Sequence, residues 1–139
     1  MYAPSAHNQQ PREFLILQNK DHLLRLGQHL KFGKMLPQAN AAIITCFNKK
    51  IITDPAFIQQ DMSACTQNML LAAHEKGIGA VWIGIYPLNN PGHYLNTYLQ
   101  LPDYVDIFNI IALGYPDPAT SPHNKECLKL EKIHWEEWK

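Results

Sequence analysis

The segment at residues 3–11, Ala-Pro-Ser-Ala-His-Asn-Gln-Gln-Pro, has the side chains best suited to binding chemistry. It contains one hydroxyl side chain, Ser5, and three amide side chains, Asn8, Gln9 and Gln10. Because amides and hydroxyls both donate and accept hydrogen bonds, they suit the mixed donor and acceptor edge of a heterocycle. The same composition is typical of an ordinary polar surface loop, so the residue types alone leave both interpretations open.

The histidines and cysteines form no motif for catalysis or metal binding. The seven histidines show neither an HxH nor an HExxH spacing, and a zinc site needs three or four ligands. The three cysteines, Cys46, Cys65 and Cys127, are far apart and form no CxxC, so neither a disulfide framework nor a zinc ribbon is predicted. We expect Cys65 to be a small core residue and Trp82 to be core rather than a platform for substrate.

Apolar patterns predict the elements that must position these residues. Short apolar runs predict strands at residues 13–17, 41–47, 80–85 and 107–113, and helical spacing predicts helices at about 21–30, 54–77 and 90–99. Asp21 and Asp54 are the expected N-caps of the first two helices, and Gly77 is expected to end the second in a left-handed conformation. Alternating strands and helices, with no internal repeat or linker, predict one layered α/β or α+β domain.

Four segments, in order along the chain, resemble those of the FMN-dependent nitroreductase family. Residues 2–11, Tyr-Ala-Pro-Ser-Ala-x-Asn-x-Gln-Pro, are similar to the loop by which family members hold the flavin ring. Residues 61–79 resemble the long central helix that forms much of the family's dimer core. Residues 80–84, Ala-Val-Trp-Ile-Gly, resemble the strand and turn whose backbone passes close to the flavin. Residues 112–116, Ala-Leu-Gly-Tyr-Pro, resemble a signature that ends a strand.

The resemblance implies roles for the residues of the first segment. Ser5 and Asn8 would contact the isoalloxazine ring or the ribityl chain of FMN, and Pro4, Ala6 and Gln10 would shape the loop. The next position departs from the family pattern, because arginine stands at residue 12 where the family often has tryptophan. We expect this position to lie near the surface of the motif and to tolerate the change.

The resemblance also implies backbone and phosphate contacts. Ile83 and Gly84 would bring the main chain to the flavin, since a glycine without Cβ permits a close approach. Lys125 corresponds to a basic phosphate contact of the family, although a solvated lysine of the tail is an equal alternative. The family's Arg-Arg-Ser-x-Arg-like phosphate segment, one helix upstream of the loop, has no counterpart in residues 1–139.

These features lead to one expected protein and one alternative. The resemblance implies a single α+β domain at residues 1–139, with a mainly antiparallel sheet flanked by helices and without the usual N-terminal helix. It implies a homodimer in which NAD(P)H reduces FMN and a nitro compound, a quinone or a similar small molecule takes the electrons. No side chain is nominated as a general acid or base. Because phosphate contacts are missing, the alternative is a non-catalytic family member that acts as a binding or interaction protein.

Composition argues against several other classes. The formal net charge is zero and the pI is about 7.0, so there is no overall positive field to attract nucleic acid or anionic lipid. The longest apolar runs are far shorter than the ~20 residues that a membrane helix requires. The first residues do not resemble a signal peptide, and the unpaired cysteine pattern suits a reducing compartment. We therefore expect a cytoplasmic protein with neither membrane nor nucleic-acid partners.

Overall fold

A computed structural model, which describes residues 2–119 and 129–138, confirms the α+β fold. The sheet contains strands β1 (Arg12–Leu17), β2 (Ala41–Asn48), β3 (Gly79–Gly84) and β4 (Val105–Gly114). The α-helices are α1 (Lys20–His29), α2 (Ile58–Glu75) and α3 (Asn89–Tyr98). The strand order is β1-β2-β4-β3, and every neighbouring pair is antiparallel. All seven predicted elements are therefore present, with boundaries shifted by a few residues.

The sheet lies between helices on both faces. On one face, Leu23 and Leu26 of α1 and Leu95 of α3 pack in the same core cluster as Ile44 and Ile110 of the central strands. On the other face, a second core cluster contains two side chains of α2 and two aromatic side chains of the sheet: Ile58, Met62, Phe47 and Phe108. Because β2 and β4 are covered on both faces, they read in the sequence as nearly continuous apolar runs.

A buried chain of hydrogen bonds ties α2 to the sheet. The Thr45 hydroxyl donates to Asn109 Oδ1 at 2.7 Å, and Asn109 Nδ2 donates to Thr66 Oγ1 at 2.8 Å. The Thr66 hydroxyl donates in turn to the Met62 carbonyl at 2.7 Å. Since Thr45, Asn109 and Thr66 are fully buried, each bond satisfies a polar group that water cannot reach. The network therefore fixes the rotation of the long helix against the two central strands.

Two helix starts differ from the sequence prediction. Asn19, rather than Asp21, caps α1, because the Asn19 side chain accepts a hydrogen bond from the Asp21 N–H at 2.8 Å. Asp54 does act as a cap, accepting from the Ala56 N–H at 3.0 Å, but it caps a 3-10 turn that precedes α2. The end of α2 is as predicted, since Gly77 has a φ of 70°.

A bulge in β4 sets the course of the chain after β3. The pairing of β2 with β4 shifts so that Phe108 has no partner residue in β2. The Phe108 carbonyl instead accepts hydrogen bonds from the Ile85 N–H at 3.2 Å and from the Tyr86 N–H at 2.9 Å. These two bonds hold the backbone directly after Gly84 against the sheet, which fixes the exposed end of β3.

Candidate functional site

The loop before β1 has an unusual backbone conformation. His7, Asn8 and Gln10 have φ angles of 51°, 54° and 49°, all in the left-handed region. For a residue with a Cβ, the left-handed conformation costs roughly 1–2 kcal/mol of conformational free energy, and among such residues asparagine tolerates this conformation best. Such conformations cluster at ligand-binding and catalytic sites, where the surrounding structure over-determines them. The loop singled out in the sequence is therefore held in one defined shape.

Hydrogen bonds within the loop involve the residues predicted to bind ligand. The Gln10 N–H donates to Ser5 Oγ at 2.9 Å, and the Asn8 N–H donates to the Ser5 carbonyl at 3.0 Å. Gln10 Nε2 donates to Asn8 Oδ1 at 2.9 Å, which orients the Asn8 amide. Because Ser5 Oγ accepts from the backbone, its own O–H can still donate to a ligand.

Contacts from outside the loop reach it at three places. Arg12 Nη2 donates to the Ala3 carbonyl at 2.7 Å and Nη1 donates to the Pro4 carbonyl at 3.5 Å. The Ala6 N–H donates to Asp61 Oδ1 of α2 at 2.9 Å. The third contact joins Gln9 of the loop to Thr53. Their side chains are hydrogen-bonded, and the Thr53 N–H donates to Gln9 Oε1 at 3.1 Å.

The position of Arg12 corrects the sequence prediction. Arg12 is only 7% exposed, whereas we expected this position to lie near the surface of the motif. The side chain turns inward because its guanidinium donates to two backbone carbonyls of the loop. The replacement is therefore part of the structure that supports the loop rather than a neutral surface change.

The loop forms one wall of a shallow cavity of about 470 Å³ against the start of α2. Its other wall contains the Asp61 carboxylate, which is already bonded to the loop. The described lining residues are Pro4, Ser5, Ala6, His7, Phe57, Gln60, Asp61 and Ala64. Three of the predicted cofactor residues therefore lie together here, while Asn8 and Gln10 lie in the exposed part of the same loop.

The second group of predicted residues lines a wider groove of about 1010 Å³ beside β3. Ile83 directs its side chain into the core and is 2% exposed, so it contributes mainly backbone to the groove. A Cβ added at Gly84 would meet no atom within 4 Å, so the main chain there faces open space. The main chain at Gly84 therefore leaves room for a planar ligand, and its contact with flavin stays a prediction.

Trp82 lies in this groove rather than in the core. It is 37% exposed and lines the groove, although its ring also contacts Phe108 at a centroid distance of 5.9 Å. The prediction of a core residue was wrong because β3 pairs with only one strand, β4, and forms the edge of the sheet. An apolar strand of this kind is buried only where another layer covers it.

Two lysines of the groove were missed in the sequence. Lys31 and Lys34, in the connection from α1 to β2, line the groove together with Trp82 and Gly84. Among the described residues that line the groove, none is an aspartate or glutamate. The groove continues into a smaller apolar cavity of about 380 Å³ that includes Leu88. No local motif distinguishes these lysines from solvated ones, since only the folded chain places them beside β3.

The predicted residues do not form one continuous site within a single chain. In the part of the chain that the structure describes, the cavity beside Ser5 and the groove beside Gly84 share no lining residue. Lys125, the predicted phosphate contact, lies outside the described residues. The two groups of predicted residues therefore line separate cavities of the described chain.

The two described cysteines are buried, and their thiols are held in the protonated form. Burial raises the pKa of the Cys46 thiol to about 12, and burial also raises the pKa of Cys65. Cys65 is buried, as predicted for a core residue. Over residues 2–119 and 129–138, no three His, Cys, Asp or Glu side chains are grouped so that they could hold a metal ion. No helix in those ranges has the length and apolar character needed to cross a bilayer.

Taken together, the antiparallel sheet between helices, the polar loop before β1 and the glycine-ended edge strand define a protein of the α+β class. The sequence model of the nitroreductase family matches residues 33–115. This chain is also 38% identical to a protein of Archaeoglobus fulgidus provisionally named NADH dehydrogenase/NAD(P)H nitroreductase, over 99% of this chain and 80% of that relative. The chain belongs to the nitroreductase family.

The fold is shared with solved structures of nitroreductases, including two from Clostridium difficile and Desulfovibrio desulfuricans. An FMN-dependent nitroreductase from Clostridium difficile R20291 is 26% identical and superposes with a TM-score of 0.87, over 99% of this chain and 82% of that one. A provisionally named nitroreductase from Desulfovibrio desulfuricans, solved in complex with FMN, is 30% identical with a TM-score of 0.76. That match covers 96% of this chain and 78% of the other.

Proposed function

We propose that this chain is a cytoplasmic FMN-dependent oxidoreductase that uses NAD(P)H to reduce nitro compounds, quinones or similar small acceptors. Membership of the nitroreductase family supports an oxidoreductase, and a family member of the same fold was solved with FMN. The observation that carries the proposal is the groove beside β3, where the Gly84 backbone faces open space and Lys31 and Lys34 join the lining.

The groove has the properties that FMN requires. A bare backbone at Gly84 admits a flat ring, and Trp82 supplies apolar surface beside it. Lys31 and Lys34 suit a cofactor that bears a phosphate and gains negative charge on reduction, because no carboxylate among the described lining residues opposes them. Lys125 remains a proposed phosphate contact from the sequence resemblance.

The loop residues have a complementary task. Ser5 and Asn8 would hydrogen-bond the polar edge of the ring or the ribityl chain, with Pro4, Ala6 and Gln10 maintaining the loop around them. The Ser5 hydroxyl can donate while it accepts from the Gln10 N–H. When bound, flavin supplies the redox chemistry, and the protein's part is to bind it, orient it and exclude water. No side chain of the chain is assigned as a general acid or base.

We propose a homodimer in which the loop of one copy lies against the groove of the other. The separation of the two groups of residues within one chain supports this arrangement. Exposed apolar side chains on α2 and β3, Leu71, Val81 and Trp82, supply surface for a second copy to cover.

The proposal is tested by reconstitution with excess FMN followed by gel filtration. We expect flavin to elute with the protein, and we expect the melting temperature to rise by roughly 8–12 °C at about a hundredfold excess over the Kd, where binding stabilises the fold by about 2.7 kcal/mol. The loaded protein should then oxidise NADH or NADPH in the presence of a quinone or nitroaromatic acceptor. Protein that elutes without flavin and shows no thermal shift would overturn the proposal. Retained flavin without NAD(P)H oxidation would favour the non-catalytic binding protein.

A further inference from the structure

The loop at residues 3–11, which we call the flavin loop after the proposed function, depends for its shape on contacts with the rest of the chain. Three of its residues, His7, Asn8 and Gln10, are in the left-handed region, and all three have side chains in contact with solvent. The hydrogen bonds inside the loop lie in contact with water, which competes for them. Contacts with the rest of the fold must therefore contribute much of the order that keeps Ser5 and Asn8 in place.

Arg12 supports the loop from the side that precedes Ser5. Its guanidinium is buried and donates from two nitrogens to the carbonyls of Ala3 and Pro4, which are consecutive residues. A planar fork of donors is able to fix two neighbouring carbonyls at once, and bonds from a charged donor are stronger than neutral ones. Arg12 thus fixes the direction in which the backbone enters Ser5.

Asp61 supports the loop from the side that follows Ser5. Its Oδ1 accepts the Ala6 N–H at 2.9 Å, and the residue belongs to the first turn of α2. Since Thr66 of the same helix is bonded to Asn109 of β4, the position of Asp61 is fixed relative to the sheet. The backbone is therefore held on both sides of Ser5 by residues that the fold itself positions.

We propose that Arg12 and Asp61 are positioning residues that set the geometry of the flavin loop, so that Ser5 and Asn8 are presented in the conformation that binds the cofactor. The inference rests on the proposed function for the identity of the ligand, because FMN is the molecule that the loop would meet. Neither residue needs to touch the cofactor. Arg12 supplies, in this chain, an anchoring contact made by side-chain donors at a position where tryptophan is frequent in the family.

The test compares variants that remove each contact with variants that keep part of it. Arg12→Met and Asp61→Leu preserve approximate size but remove the donors and the acceptor, and we expect each to raise the FMN Kd about tenfold or more. Asp61→Asn keeps an oxygen that can accept the Ala6 N–H and should stay within about threefold of wild type. Lys49→Met is the control for Arg12→Met, since the Lys49 side chain pairs with Asp106 and makes none of the loop's hydrogen bonds described above.

The spectrum of bound flavin and the exchange of backbone amides separate positioning from general stability. We expect Arg12→Met to change the flavin absorbance band and to accelerate exchange of the Asn8 and Gln10 amides without FMN, while amides of β2 and β4 keep wild-type rates. Wild-type Kd values in both Arg12→Met and Asp61→Leu would overturn the inference. If wild type itself binds no FMN, the proposed function fails, and amide exchange alone decides: unchanged loop rates in Arg12→Met would overturn the positioning role.

A variant that fails to fold does not end the test. Arg12→Lys retains a buried cation that can reach one of the two carbonyls, so it should fold and show an effect between wild type and Arg12→Met. An Arg12→Lys protein with the same Kd and the same loop exchange as wild type would contradict the role assigned to the guanidinium fork.

Discussion

At Gly84 the main chain faces open space because, apart from Gly84 and its two chain neighbours, no heavy atom of the described residues comes within 4 Å of the place where a Cβ would be. A glycine can occur in a strand because a side chain would clash with the rest of the protein, or because a ligand approaches the main chain. A glycine that avoids an internal clash would have atoms from other parts of the chain close to the Cβ position, whereas Gly84 has none within 4 Å. The absence of a side chain at this residue is consistent with the proposal that a ligand approaches the main chain here.

Replacing this glycine should affect the ligand and spare the fold. We expect Gly84→Ala to keep or slightly increase the free energy of unfolding, by up to about 0.5–1 kcal/mol, because the added methyl restricts the unfolded chain. The same methyl should raise the FMN Kd about tenfold by occupying the closest approach to the backbone. Gly92→Ala is the control, since its Cβ would meet only Ile85 at 3.8 Å, outside the groove. Equal Kd values for the two variants would contradict the assignment.

Cys46 predicts how stability depends on pH in alkaline solution. Burial is the main cause that raises the pKa of its thiol from 9.0 to about 12, with the charges of Glu13 and Asp106 adding to it. The unfolded chain therefore loses this proton from about pH 9, whereas the folded chain keeps it. The thiol's contribution to stability is thus fully present below pH 9 and declines as pH rises towards 12, by up to about 1.4 kcal/mol per pH unit.

Denaturant unfolding between pH 8 and 11 measures this slope. The comparison of wild type with Cys46→Ala removes contributions from other groups that titrate in the same range. We expect Cys46→Ala to be less stable at pH 8, because it leaves a cavity, but to lose less stability than wild type as the pH rises. Parallel slopes for the two proteins would show that the thiol has an ordinary pKa in the fold.

Among the elements, α2 connects the core to the candidate site. The same helix presents Asp61 to the loop and Thr66 to the buried network with Thr45 and Asn109. A hydroxyl in this network has no water with which to replace a lost partner. The polar bonds therefore determine where the first turn of α2, and with it the loop, lies relative to the sheet.

The network should be sensitive to removal of a single hydroxyl. We expect Thr45→Val to lower the free energy of unfolding by about 1–3 kcal/mol, because Asn109 Oδ1 loses its donor in a fully buried place. Thr97→Val is the matched control: the Thr97 hydroxyl donates to the His93 carbonyl in an exposed part of α3, and the change should stay within about 0.5 kcal/mol. Urea titrations with a common m-value provide the measurement. Equal losses of unfolding free energy in the two variants would contradict the stabilising role assigned to the network.

The sequence predicts the elements better than their exposure. The strands β2 and β4 are recognisable because burial on both faces leaves a continuous apolar run. Burial of Trp82 was predicted wrongly because it depends on the strand order, which places β3 at the edge, and strand order is a non-local property. Arg12 was misplaced for a similar reason, since its partners are carbonyls in a loop whose path no periodicity reveals.

The candidate site was only partly predictable for the same physical reasons. The loop around Ser5 and the glycine at the end of β3 have local signatures, and resemblance to a family interprets them. Lys31 and Lys34 have no such signature, because they reach the groove only when the connection after α1 folds beside β3. Residues brought together by tertiary structure therefore had to be found in the structure.

At the scale of the whole molecule, the two halves of the candidate site lie in separate places on one chain. The cavity beside Ser5 and the groove beside Gly84 share no lining residue among those described. Near the end of the chain, the side chains of Trp135 and Trp138 are 81% and 88% exposed, so neither packs into the core of the described residues. In the homodimer that we propose, these exposed rings are surface that a second copy would cover.

Mixing two damaged subunits tests whether a site is shared. We expect Gly84→Val to block the groove and a Ser5→Ala, Asn8→Ala double variant to impair the loop, so that each homodimer binds FMN weakly. If each site combines a loop and a groove from different copies, the mixed dimer regains one intact site, with half the flavin of wild type. Mixtures that bind no more flavin than the separate variants would show that each site is built within one chain.

One spectrum tests most directly whether the protein uses bound FMN to transfer electrons. Protein reconstituted with FMN and freed of excess cofactor is placed under anaerobic conditions, and its visible absorbance is recorded before and after addition of NADH or NADPH. We expect flavin bands that bleach with the nicotinamide and return when a quinone or nitroaromatic acceptor is added. A colourless protein, or bands that neither nicotinamide bleaches, would contradict the claim.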